Sequence, residues 1–103
     1  MERVYSVDEI KNKLYPIFVA APVYRAILFG SYAKGNATTK SDVDIVIDSK
    51  GELININFYG VLEDITETLD KSIDLIEISE IRKNSPILSE IQNKGVLLYE
   101  KQG

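Results

Sequence analysis

Apolar residues recur along this chain with two periods, and the changes between them predict the order of its elements. Val7, Ile10, Leu14, Ile17 and Phe18 fall on one face of a helix. Ser6 suits the N-cap of that helix, and Glu9 three residues later completes a capping box. Pro16 lies inside the stretch, where a proline loses one backbone hydrogen bond and crowds the preceding turn, so a kink or break is expected near Leu14 and Tyr15. After the turn at Ala21-Pro22, Tyr24 to Phe29 reads as a short, mostly apolar strand ending at Gly30. Ser31 to Lys34 then reads as one or two helical turns, stopped by Gly35-Asn36.

From Ser41 to Asp48 the period becomes two. Val43, Ile45 and Ile47 share one face of a strand, and Asp42, Asp44, Val46 and Asp48 share the other. Helical spacing returns at Phe58, Val61, Leu62, Ile65 and Leu69, with acids on the opposite side, which predicts a helix over about residues 55–70. Ser72 to Ile78 is apolar on both faces and suggests a strand enclosed within the sheet. Ser85-Pro86 is a helix start, Leu88 and Ile91 supply its buried side, Gly95 ends it, and Val96 to Tyr99 forms a last strand. The expected architecture is a single α/β domain over residues 1–103, with a small mixed sheet of about four strands packed against helices.

Composition narrows the chemistry. There is no cysteine and no histidine, so thiolate chemistry and an imidazole base are both excluded. A net charge of −4 argues against a surface built to bind DNA. The N-terminal stretch is charged and lacks the apolar core of a signal peptide, and no segment approaches a membrane span, so a cytoplasmic location is expected.

The chemistry concentrates between Gly30 and Asp44, which read GSYAKGNATTKSDVD. Gly30-Ser31 stands where an apolar strand gives way to a helical turn. Glycine allows close backbone approach, and the free amides with the serine hydroxyl suit a phosphate, although a plain strand-to-helix turn has the same appearance. Gly30 and Gly35 have the glycine spacing of a Walker A loop, but Asn36-Ala37 replace the required lysine and hydroxyl, so this is no P-loop. Asp42 and Asp44, two apart in a strand, point to one side and can share a magnesium ion, or can simply face water. Asp74 lies in the strand that reads as enclosed, where a carboxylate needs a metal or a cation such as Arg25 or Lys71. Glu77, on the opposite face of that strand, reads as a surface residue. Three carboxylates on neighbouring strands can hold two magnesium ions across a nucleoside triphosphate and align a hydroxyl with its α-phosphate.

The stretch LFGSYAKGNATTKSDVDIVID, with its GSx10DxD spacing, resembles the signature of the minimal nucleotidyltransferases, the MNT branch of the polymerase-β-like nucleotidyltransferase superfamily. IDLIEI resembles the strand that bears that family's third carboxylate, and KGVLLYE its closing strand. The resemblance implies a nucleotidyltransferase fold in which Gly30 and Ser31 contact the triphosphate of ATP. Asp42, Asp44 and Asp74 would be the catalytic, magnesium-binding carboxylates, with Asp74 also a candidate base for the acceptor hydroxyl. Lys34, where relatives often carry arginine, is a further candidate for the phosphates.

Once this fold is accounted for, few residues remain, so no acceptor-binding domain is expected within the chain. The resemblance implies a partner instead: a HEPN-domain toxin, one tyrosine of which receives AMP from ATP, the chain acting as antitoxin in a homo- or hetero-oligomer. Two alternatives stand beside this: an antitoxin that neutralises its HEPN partner by binding alone, and nucleotidyl transfer to the hydroxyl of a small molecule.

Overall fold

The computed structural model of the chain describes residues 3–102. Ser6 opens the first helix, α1 (Val7–Ala20), through a reciprocal cap in which its Oγ accepts the Glu9 N–H at 3.0 Å and its own N–H donates to Glu9 Oε1 at 2.8 Å. The helix runs through Pro16 without the expected break. Pro16 and Asn12, whose carbonyl loses its intrahelical donor, are both exposed, so water can satisfy that oxygen.

Strand β1 (Arg25–Phe29) leads into the short helix α2 (Gly30–Lys34), which closes on Gly35 in the left-handed conformation at φ 80°. Strand β2 (Val43–Asp48), helix α3 (Ile56–Leu69) and strand β3 (Ile73–Glu77) follow. A 3-10 turn at Ile78–Glu80, not anticipated from the sequence, precedes helix α4 (Pro86–Lys94) and strand β4 (Val96–Glu100). Ser85 caps α4 by accepting the Leu88 N–H at 3.2 Å, with Pro86 at the first helical position.

The four strands lie in the order β3-β2-β1-β4. β1 runs antiparallel to β2 and to β4, and β2 parallel to β3, so the sheet is mixed as expected. α1 and α3 cover one face, where Leu28, Val43, Ile45 and Ile47 meet Ile10, Leu14, Phe18 and Ile65 with essentially no exposure. Burying each such side chain contributes roughly 2 kcal/mol. On the other face Phe29, Val46 and Ile91 form a second cluster under α4, joined by Ile27 and Ile76. Val46 therefore packs, on the face that its neighbours Asp44 and Asp48 would have given to water.

Two expectations for β3 are corrected. It is an edge strand, not an enclosed one, and its two-sided apolar pattern arises because Leu75 packs towards the main core and Ile76 towards the second cluster. Its two acids exchange surroundings accordingly: Asp74 is exposed, and Glu77 is the buried one at 7 %. Glu77 is tolerated there because Ser49, following β2, donates both its N–H, at 3.2 Å, and its hydroxyl to the carboxylate. The Ser49 Oγ in turn accepts the Leu53 N–H at 3.1 Å. Glu77→Ala would strand those donors and is expected to cost about 2–3 kcal/mol of unfolding free energy in urea titration, with Glu77→Gln costing less.

Candidate active site

The end of the sheet where β1 stops and β2 and β3 begin collects the polar residues that the main core excludes. Phe29 pairs with Asp44 across the antiparallel ladder, so the chain leaves β1 at Gly30 directly beside the Asp44 side chain. Gly30 has φ +71°, and a Cβ there would overlap the Asp44 carboxylate, lying 3.0 Å from its Cγ. Only glycine combines that conformation with that proximity. Tyr32 is buried in the core and anchors α2 against the sheet, which leaves Ser31 partly open and Lys34 exposed.

Asp44 is also the register partner of Asp74 on the parallel strand β3. Adjacent strands lie about 4.8 Å apart, so the two side chains leave the same face of the sheet as neighbours. Asp42, just ahead of β2, is exposed and borders a cleft lined by Thr39, Lys40, Ser41, Asp70, Lys71 and Ser72. Lys71 donates to the Thr39 carbonyl at 3.1 Å. Neither cation proposed for Asp74 pairs with it: the ion pairs among the described residues are Arg3–Glu9 and Lys34–Glu90, and Arg25 lies opposite Asp48 and Glu100 in the ladders.

Burial, and then the charges of Asp74, Asp42 and Glu90, push the Asp44 carboxyl from the ordinary 3.8 up to about 6. No three acidic side chains among the described residues stand close enough to enclose a cation as they lie. The donor set nonetheless fits magnesium, which takes hard oxygen ligands and relieves the repulsion that raises Asp44. Without metal, the native state holds a proton on Asp44 more tightly than the unfolded chain does, so the contribution of this group to stability is fully present below about pH 4, is lost as pH rises towards 6, and stays lost above. Asp44→Asn removes the repulsion. In EDTA at pH 8 the variant is expected to unfold about 1 kcal/mol harder than the wild type once solvent screening is allowed for, with no difference at pH 4.

Sequence reasoning missed Glu90. It projects from α4 into this site, where its Oε2 accepts the Gly30 N–H at 3.1 Å and its Oε1 accepts from Lys34 Nζ at 3.2 Å. No local signal marks it, because its partners lie 60 and 56 positions away in the chain.

The family profile described as "Polymerase beta, Nucleotidyltransferase" matches residues 12–103. The chain belongs to that family. It is 30% identical over 92 residues to the Methanocaldococcus jannaschii protein named "Putative protein adenylyltransferase", covering 88% of this chain and 96% of that one. It is also 30% identical over 76 residues to "Protein adenylyltransferase MntA" of Shewanella oneidensis, covering 73% of this chain and 52%, about half, of that relative. Among solved structures, one described as a toxin-antitoxin with AMP-PNP superposes with TM-score 0.73 at 25% identity, over 89% of this chain and 74% of its own. Another, of tri-AMPylated Shewanella oneidensis HEPN toxin in complex with MNT antitoxin, gives TM-score 0.68 at 21% identity over 92% and 73%, a likeness of fold. The family assigns the chain a nucleotidyltransferase activity. No helix among the described residues is long and apolar enough to cross a membrane.

Proposed function

We propose that this nucleotidyltransferase moves AMP from ATP to a hydroxyl, and that the acceptor is a tyrosine of a HEPN-domain toxin that the chain thereby neutralises. The observation that carries this reading is the pairing of Asp44 with Asp74 on adjacent parallel strands, with Gly30 against the Asp44 carboxylate. Two relatives named as protein adenylyltransferases, and a toxin-antitoxin structure with an ATP analogue, support the choice of nucleotide and of a protein acceptor.

In this reading the Gly30 N–H and the Ser31 hydroxyl hold the triphosphate, with Lys34 adding positive charge, and Asp42, Asp44 and Asp74 hold magnesium, two ions in the complete site. Magnesium bound there would neutralise phosphate charge and act as a Lewis acid at the α-phosphate. Gly30 and Ser31 fix the triphosphate so that the acceptor oxygen faces the α-phosphorus opposite the departing pyrophosphate. Asp74, exposed at the rim, takes the proton of the attacking hydroxyl as the new P–O bond forms and the bond to pyrophosphate breaks.

Incubation with α-labelled ATP, magnesium and the HEPN partner should label the partner on tyrosine. Absence of transfer by the native protein with every divalent cation tried would sink the reading.

A further inference from the structure

Glu90 sits where the proposed function puts a phosphate. Its carboxylate takes the Gly30 N–H and the Lys34 ammonium, two of the three groups assigned to the triphosphate. A carboxylate offers such donors what a phosphoryl oxygen offers, a charged acceptor, and Gly30 has a single N–H to give. The two anions therefore exclude one another at Gly30. A triphosphate entering beside an unmoved Glu90 would also meet a like charge, in a site where the acids Asp42, Asp44 and Asp74 already gather.

The means of release is local. The Glu90 side chain is 31% exposed, whereas the next residue, Ile91, is buried against Phe29 and Val46. α4 can stay docked while the Glu90 side chain turns out to water.

We propose that Glu90 is a positioning residue that closes the phosphate cradle of the nucleotide-free protein and is displaced by the triphosphate, so that α4 sets the affinity for nucleotide. The inference rests on the reading that Gly30 and Lys34 hold the phosphates. A latch closed nine-tenths of the time weakens apparent affinity about tenfold. A merely structural tie between α4 and α2 would act in the opposite sense, since cutting it loosens the cradle.

The test is calorimetric titration of the full chain and its Glu90→Ala and Glu90→Gln variants with Mg-ATP, with inorganic tripolyphosphate, and with adenosine as control. Glu90→Ala should bind ATP and tripolyphosphate about tenfold more tightly, with adenosine binding unchanged. Glu90→Gln keeps an acceptor for the Gly30 N–H and loses the ion pair with Lys34, so it should fall between. KM for ATP should drop by a similar factor, and kcat should not rise with it. Equal or weaker binding of ATP by the variants, where the wild type binds it, overturns the latch and leaves the phosphate site standing. Failure of all three proteins to bind either ATP or tripolyphosphate overturns the phosphate site and the latch together. Glu90→Gln is nearly isosteric, so it carries the test should the alanine variant melt early by circular dichroism.

Discussion

Asparagine in place of Asp42 or Asp44 is expected to lower AMP transfer to the partner roughly a thousandfold while the two proteins still assemble. Asparagine keeps the size and one acceptor oxygen of aspartate and removes the charge that a hard cation requires. Neither substitution touches the main core. Asp42 is exposed, and Asp44 gives up only its repulsion with Asp74, Asp42 and Glu90. Loss of activity therefore comes without loss of fold, and for Asp44 with a small gain in stability. Labelled-ATP transfer, co-elution of the complex and survival of cells expressing the toxin read the three consequences separately. Lost transfer with lost protection supports catalysis as the means of neutralisation. Protection retained by a transfer-dead, complex-forming variant would assign neutralisation to binding alone.

Gly30→Ala is expected to damage both fold and chemistry. An alanine at φ +71° costs about 1–2 kcal/mol in backbone energy, and its Cβ would overlap the Asp44 carboxylate. Relief requires Asp44 to swing away or the β1–α2 junction to shift, and either movement separates the phosphate donors from the acids. Transfer should fall at least about a hundredfold, as expected when positioning errs by around an ångström. The urea midpoint should fall as well, in contrast to Asp44→Asn. Doubling with Asp44→Gly, which empties the colliding space, should restore part of the stability and none of the activity. A Gly30→Ala protein with wild-type stability and transfer would show that the contact with Asp44 does not constrain the site.

The legible parts of this chain are those whose partners lie close in sequence. The Ser6–Glu9 box, the Ser85-Pro86 start and the Gly35 stop each act within one turn, and each lies where local chemistry puts it. The alternation of Val43, Ile45 and Ile47 against Asp42 and Asp44 marked the face of β2 that packs into the main core, because a strand's period of two sorts buried from open side chains. Position within the sheet is a different kind of information. Ile76 made β3 look enclosed, yet its apolar contact is with the cluster under α4, and covering both faces of a strand does not fill both of its edges. Glu77 was misjudged because its burial depends on Ser49, which arrives just beyond the end of the neighbouring strand. Pro16 does not break α1, because the Asn12 carbonyl that it orphans is on an exposed residue and can reach water. Glu90 was invisible because nothing in the sequence of α4 distinguishes a solvated glutamate from one aimed at Gly30.

The marginal place of β3 bears on how such a chain can change over generations. The groups proposed to hold the nucleotide are bound up with packing: Gly30 fits against Asp44, and Asp44 stands two residues from Val46, which α4 covers. Substitutions there disturb the interior. Ser72, just ahead of β3, and Ser79, in the 3-10 turn after it, are exposed beside this outermost strand, where exchanges usually shift stability by no more than about 0.5 kcal/mol. Selection can therefore explore the surface flanking β3 while the nucleotide half stays fixed; should the proposed acceptor dock there, a lineage could acquire a new target without first losing its chemistry.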